Sequence, residues 1–178
     1  MDGIDARSPG LVVGSWAGNK AALFFGIGLS VLTLDLVTKI MIQRSLERYQ
    51  QVEVIGEYVR LTYIYNPGAA FGIHVGPHSR LVFLVLSALA LAALAVMYWA
   101  TPATNRIRLN SIALICGGAL GNMVDRVRSP NGVVDFLDIG IGDVRWPVFN
   151  VADIAVTAGA IYLALSLWRE DRDDDEGG

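Results

Sequence analysis

The chain has little that could carry thiol, metal or disulfide chemistry. It holds one cysteine in 178 residues, Cys116, so an internal disulfide is excluded. Cys116 lies within an apolar run and reads as a small packing residue. Histidine is nearly as scarce, with only His74 and His78. They stand four apart, but HVGPH contains Gly and Pro, which rule out the helical pair that a zinc site of this spacing uses. Both read as ordinary loop residues. Charge is sparse too, at 17% of residues. The net charge is −3, yet residues 169–178 alone carry six acidic groups and two arginines, leaving +1 for the rest. No basic patch is present, so there is no sign of a nucleic-acid partner, and the acidic tail reads as a solvated terminus.

What the chain does have is apolar sequence in blocks. It is 53% hydrophobic with a mean hydropathy of +0.47, too apolar for an ordinary soluble domain. A hydrocarbon core about 30 Å thick needs roughly 20 helical residues. Four runs meet that length: 21–42, 81–100, 107–124 and 148–168. Open sheets cannot span lipid, so these are helices. The first run exceeds the apolar stretch of a secretion signal and contains Asp35 and Lys39, so it reads as a retained span. Residues 1–20 show no period and read as a flexible arm. The expected class is an all-α membrane protein: one domain over 21–168, with four transmembrane helices and a small β-sheet between helices 1 and 2.

That sheet is expected in residues 43–80. In QVEVIGEYVRLTYIYN, Val59, Leu61, Tyr63 and Tyr65 alternate with Tyr58, Arg60, Thr62 and Ile64, with Gly56 as the turn. The tyrosines suit a sheet lying on a membrane surface. NPGAAFG follows, a turn built on Asn66, Pro67 and Gly68. In the third run, Gly117 and Gly121 form a small-xxx-small pair that permits close helix contact. Asn122, Asp125 and Arg126 form a polar cluster at its end. The connection 129–147 is polar and Gly-rich. Within it Val133, Val134, Phe136 and Leu137 surround Asp135, an environment that raises a carboxyl pKa. Asp138 and Asp143 read as solvated turn residues, and Trp146-Pro147 as the return to the membrane.

Residues 117–153 organise the chain. They hold five of the eleven acidic residues that precede the tail: Asp125, Asp135, Asp138, Asp143 and Asp153. Asp153 lies within VFNVADIAVTAGAIYLALSLW, where a carboxylate at a helix centre costs roughly 2.5–3.5 kcal/mol. Such a residue points to function. If Asp125 or Asp135 folds back over it, two carboxyls can share a proton around a water, the chemistry of an aspartic protease. Residue physics leaves the choice between Asp125 and Asp135 open. In TLDLVTK, Asp35 and Lys39 share a helix face at i and i+4 and reduce each other's cost in lipid. A proton relay in a transporter is the rival reading, and a scaffold with structural charges a third. Relay carboxylates line a path across the bilayer, whereas these cluster toward one face.

Five segments together resemble the signature blocks of the lipoprotein signal peptidases, the signal peptidase II family. They are LDLVTK, YNPGAAFG, GGALGNMVDR, VVDFLD and FNVAD, in the family's order over about residues 20–168. The resemblance implies a bacterial inner-membrane aspartic endopeptidase. Its substrates would be prolipoproteins whose cysteine carries a diacylglyceryl group, cut just before that cysteine. It implies Asp135 and Asp153 as the catalytic pair. Asp35, Lys39, Asn66, Gly68, Asn122, Asp125, Arg126 and Asn150 would be supporting or substrate-binding residues, with Asp125 and Arg126 in one network. It implies no cofactor and no metal, contact with membrane lipid, and inhibition by the cyclic peptide globomycin. It also sets orientation: the arm 1–20 and tail 169–178 cytosolic, the segments 43–80 and 129–147 extracytoplasmic. Charge counting does not give this. Seven arginines fall on the sheet side, against six Lys and Arg on the side of the termini.

Overall fold

The computed structural model describes residues 12–70, 73–74 and 76–176. Four helices carry the fold: α1 (Val12–Ser45), α2 (Ser79–Ala100), α3 (Arg106–Arg128) and α4 (Val151–Glu176). Each contains a segment long and apolar enough to cross a membrane: Asn19–Ser45, Ser79–Ala100, Arg106–Arg128 and Val151–Arg172.

The N-terminal arm differs from expectation. The arm is helical from Val12, and its first eleven residues lie outside the described residues. No proline stands between Pro9 and Ser45 to stop the helix. The tail is helical as far as it is described, with Asp171 and Arg172 exposed. α4 runs on to Glu176, since no Gly or Pro interrupts Trp168–Glu176. Glu170 turns back onto α3, accepting a hydrogen bond from Asn105 Nδ2 at 2.7 Å and pairing with Arg108.

α3 is the central helix and packs against the other three. Its small residues make this possible. A methyl group at Gly117 would lie 2.6 Å from the Gly28 carbonyl oxygen of α1, and one at Gly118 would lie 2.5 Å from the Ala152 carbonyl oxygen of α4. Gly121 leaves room for the Asp35 carboxylate. With no hydrophobic effect between helices in lipid, such close approach supplies the packing energy. At the opposite end of the bundle, Lys20 Nζ donates to the carbonyls of Tyr98 (2.7 Å) and Thr101 (2.6 Å). It thus caps the C-terminus of α2 and ties it to α1.

The sheet needs one correction. It has four strands in the order β1-β2-β5-β6, all antiparallel, where β1 is Gln51–Ile55, β2 Val59–Asn66, β5 Val133–Ile141 and β6 Val144–Arg145. A separate ribbon joins β3 (Ala69–Ala70) to β4 (Ile73–His74). The main sheet is therefore not housed between helices 1 and 2: two of its four strands follow helix 2, in the α3–α4 connection that reads as a plain polar loop. β2 pairs with β5, and this joins the two connections. VVDFLDIGI is a partly buried run with too little alternation to show as a strand. In β2, Leu61, Tyr63 and Tyr65 do share a side, packing with Ile42, Val134 and Phe136 in one core cluster. Asp138 is a second correction. It is buried in β5, where Arg145 Nε donates to it at 2.5 Å and Thr62 Oγ1 at 3.2 Å. Asp143 is exposed in the β5–β6 turn.

The α2–α3 and α3–α4 connections leave opposite ends of α3. In a Cys116→Ala background, cysteines placed at the exposed positions Thr104 and Asp143 are expected to react with an impermeant thiol reagent from opposite faces of the membrane. Labelling of both from one face would contradict four spans.

Candidate active site

The site forms where the N-terminus of α4 meets the start of β5 and the end of α3. α4 begins with a reciprocal cap. Asn150 Oδ1 accepts the backbone N–H of Asp153 at 3.0 Å, and Asp153 Oδ2 accepts the backbone N–H of Asn150 at 3.2 Å. This is capping-box geometry, with Asn and Asp in place of the usual Ser and Glu. Asp153 therefore stands in the first turn of α4, not at a helix centre. The insertion penalty expected for a mid-helix carboxylate does not apply there, because free N–H groups and the helix dipole favour negative charge.

Asp135 comes to the same place from the sheet. It is third in β5, opposite Ile64, and only 2% exposed. Two amides hold its carboxyl: Asn66 Nδ2 donates to Oδ2 at 3.0 Å and Asn150 Nδ2 to Oδ1 at 2.7 Å. Burial, and after it the charge of Asp153, raise the Asp135 pKa from 3.8 to about 7. The two amides oppose this less strongly. Asn150 thus touches both acids, through its side chain and its backbone. Asn122 Nδ2 completes the frame, donating to Asp153 Oδ1 at 2.8 Å.

Beneath this pair lies Lys39, 1% exposed. Its ammonium reaches Asp35 (2.7 Å), Asp125 (3.1 Å) and Asn122 Oδ1 (2.9 Å), which uses all three of its protons. Asp35 in turn accepts the backbone N–H of Ala152 at 2.9 Å, so α1 caps α4 from the side. Asp125 accepts the backbone N–H of Val134 at 3.2 Å and fixes the start of β5.

The ten residues singled out in the sequence do not all meet. Asp135, Asp153, Asn66, Asn122 and Asn150 form one hydrogen-bonded cluster, with Lys39, Asp35 and Asp125 beside it. Gly68 joins through Asn66: its N–H donates to Asn66 Oδ1 at 3.0 Å, and its φ of 114° suits glycine. Asp125 pairs with Lys39, and Arg126 lies near enough to Asp153, Asp135 and Asp125 to interact with all three charges. Arg126 also lies over the Phe83 ring, 5.7 Å from its centroid, and its Nε has no hydrogen-bond partner among the described residues. Asp125 is engaged by Lys39, while Asp135 shares Asn150 with Asp153. The link between Asn122 and Lys39 was not visible from spacing, since the two are 83 residues apart. His78 is exposed ahead of α2, and the His74 side chain lies outside what is described.

Comparison with known proteins agrees with this architecture. A family model described as signal peptidase (SPase) II matches residues 27–169. The lipoprotein signal peptidase of Geobacter sulfurreducens is 40% identical over 151 residues, 84% of this chain and 94% of that protein. That of Moorella thermoacetica is 42% identical over 145 residues, 81% of this chain and 91% of that protein. A solved bacterial membrane enzyme superposes with a TM-score of 0.74 at 30% identity, covering 91% of this chain and 92% of its own.

The raised Asp135 pKa has a consequence for stability. The folded state holds this proton more tightly than the unfolded state, so the wild type loses stability as pH rises from 3.8 to about 7 and no further above that. Asp135→Asn has no such proton. Whatever fixed offset the substitution brings, its Tm relative to wild type is expected to be higher at pH 8 than at pH 4, by roughly the effect of 1–3 pKa units. A constant difference across that range would contradict the buried, proton-holding Asp135.

Proposed function

Because the chain belongs to the signal peptidase II family, we propose that it cleaves the signal peptides of lipoprotein precursors as an aspartic endopeptidase working through Asp135 and Asp153. The observation that carries this reading is Asn150, whose amide and backbone N–H hold one carboxyl each. With its pKa pushed up to about 7, Asp135 still holds a proton in a large share of molecules at neutrality and supplies the acid, while Asp153 acts as the base. A water between them loses a proton to Asp153 as its oxygen bonds to the scissile carbonyl carbon. Asp135 gives its proton to the carbonyl oxygen. The C–N bond then breaks, the amine leaves with the proton taken up by Asp153, and the collapsing oxygen returns a proton to Asp135. The chemistry needs only the two carboxyls and water.

The remaining residues take supporting roles. Asn66 and Asn150 orient Asp135, Asn122 orients Asp153, and Lys39 with Asp35 and Asp125 fixes the helix ends that carry them. Arg126, which interacts with the charges of Asp153 and Asp135, takes part in holding the site and the precursor. The substrate is a precursor whose cysteine bears a diacylglyceryl group, cut before that cysteine, with its acyl chains left in lipid and its peptide held extended against the sheet. The setting is the bacterial inner membrane, with the site toward the extracytoplasmic face. Several sheet-side arginines that run against charge counting have protein partners: Arg145 with Asp138, Arg60 with Glu53, and Arg80 with the Ser129 carbonyl. Globomycin is expected to block the reaction.

The test is single-turnover cleavage of a diacylglyceryl-modified precursor beside binding of the same precursor. Asp135→Asn and Asp153→Asn are each expected to lose on the order of 10³-fold or more in rate while still binding, and the double variant to be little worse than either, since the two act as a unit. Wild-type activity should fall as pH rises through about 7, where Asp135 loses its proton. Near-normal cleavage by either single variant would remove that residue from the pair.

A further inference from the structure

The sheet has a second end, away from the carboxyl pair. The register sets Asn66 against Val133 at the site and Val59 against Ile139 at the far end. There the β1–β2 and β5–β6 turns come together. Six large apolar side chains are exposed on them: Ile55, Tyr58, Ile139, Ile141, Val144 and Trp146. Val144 is 82% exposed and Trp146 63%. Five of the six line one shallow groove, with Gly140. A cluster of this kind on a water-facing turn is unusual and marks a contact surface.

The tip is also stapled. Gly140 N–H donates to the Tyr58 carbonyl at 3.0 Å, and Trp146 N–H to the Ile139 carbonyl at 2.8 Å. Arg145 spans both turns, donating to the Glu57 carbonyl at 3.0 Å and to Asp138. The two turns are thus tied to each other by main-chain and Arg145 hydrogen bonds, which leaves fewer of their backbone polar groups in need of water.

We propose that this tip is seated in the headgroup layer of the bilayer and anchors the sheet there. The occupant is lipid, for two reasons. Trp146 lies five residues before the Val151–Arg172 span, so an extended chain keeps it within about 18 Å of the start of that span. Trp and Tyr beside aliphatic residues are the side chains that favour this layer. The inference rests on the spans alone and stands apart from the peptidase reading. An anchored tip would hold β5, and with it Asp135, at the depth where a lipid-modified peptide leaves the acyl region.

Trp146 is its own reporter. A full-length variant retaining only this tryptophan (Trp16→Phe, Trp99→Phe, Trp168→Phe) is placed in nanodiscs of phosphatidylcholine and phosphatidylglycerol. Lipid brominated near the headgroup end of its chains is expected to reduce Trp146 emission about twofold or more, with aqueous acrylamide having little effect. Adding Val144→Glu, at the most exposed of the six positions, should weaken the bromolipid quenching without changing the Tm in detergent. Free access of acrylamide with no bromolipid quenching would overturn the proposal. So would shielding seen only in discs holding two copies, which marks a self-contact, or only after precursor is added, which marks a substrate surface.

Discussion

The ammonium of Lys39 is the constraint on which the rest depends. Asp35 and Asp125 are both buried between helices, and each alone would be an uncompensated charge in an apolar bundle. Lys39 sits between them and gives its third proton to Asn122. Removing one partner from such a buried set costs roughly 3–5 kcal/mol in soluble proteins, because it leaves the others unpaired. Each anion spends its remaining capacity on backbone: Asp35 on Ala152 of α4 and Asp125 on Val134 of β5. One cation thus sets where the helix bearing Asp153 begins and where the strand bearing Asp135 begins.

From that frame the asymmetry of the two acids follows. Asp153 occupies a helix N-terminus, where N–H groups favour a carboxylate. Asp135 is buried in a strand among Val133, Val134 and Phe136, where its charged form is disfavoured. The same Asn150 touches both. Two carboxyls thus stand in unlike surroundings, linked through one amide residue, the arrangement that the proposed division into acid and base relies on. The glycines of α3 are part of this design, since only a helix without side chains at Gly118 and Gly121 lets α4 and Asp35 come close enough.

Much of this was legible in the sequence, for definite reasons. The spans follow from length and hydropathy, and the Asp35–Lys39 pair from helical spacing. The strand character of β2 shows in its alternation. The partnership of β2 with β5 was not legible, because it joins segments about 70 residues apart and β5 lacks period-two contrast. Asp138 looked like a turn residue because its partner Thr62 lies on the other strand. Asp153 looked costly because α4 seemed to begin at 148; the Asn150 cap moves the start to Val151, which places Asp153 in the first turn. The ion pair of Asp125 with Lys39 was not legible either, because it crosses from one helix to another.

Burial, with the charge of Asp153 beside it, pushes the Asp135 pKa up to about 7, and the proposed chemistry depends on this shift. It is tested most directly by following the side-chain carboxyl carbon of Asp135 by NMR against pH, in protein labelled with ¹³C aspartate and assigned with Asp135→Asn. The midpoint should lie at about 7. It should fall in Asp153→Asn while staying above the ordinary carboxylate range, since burial is the larger cause. A midpoint near 3.8, or one that Asp153→Asn leaves in place, would contradict it.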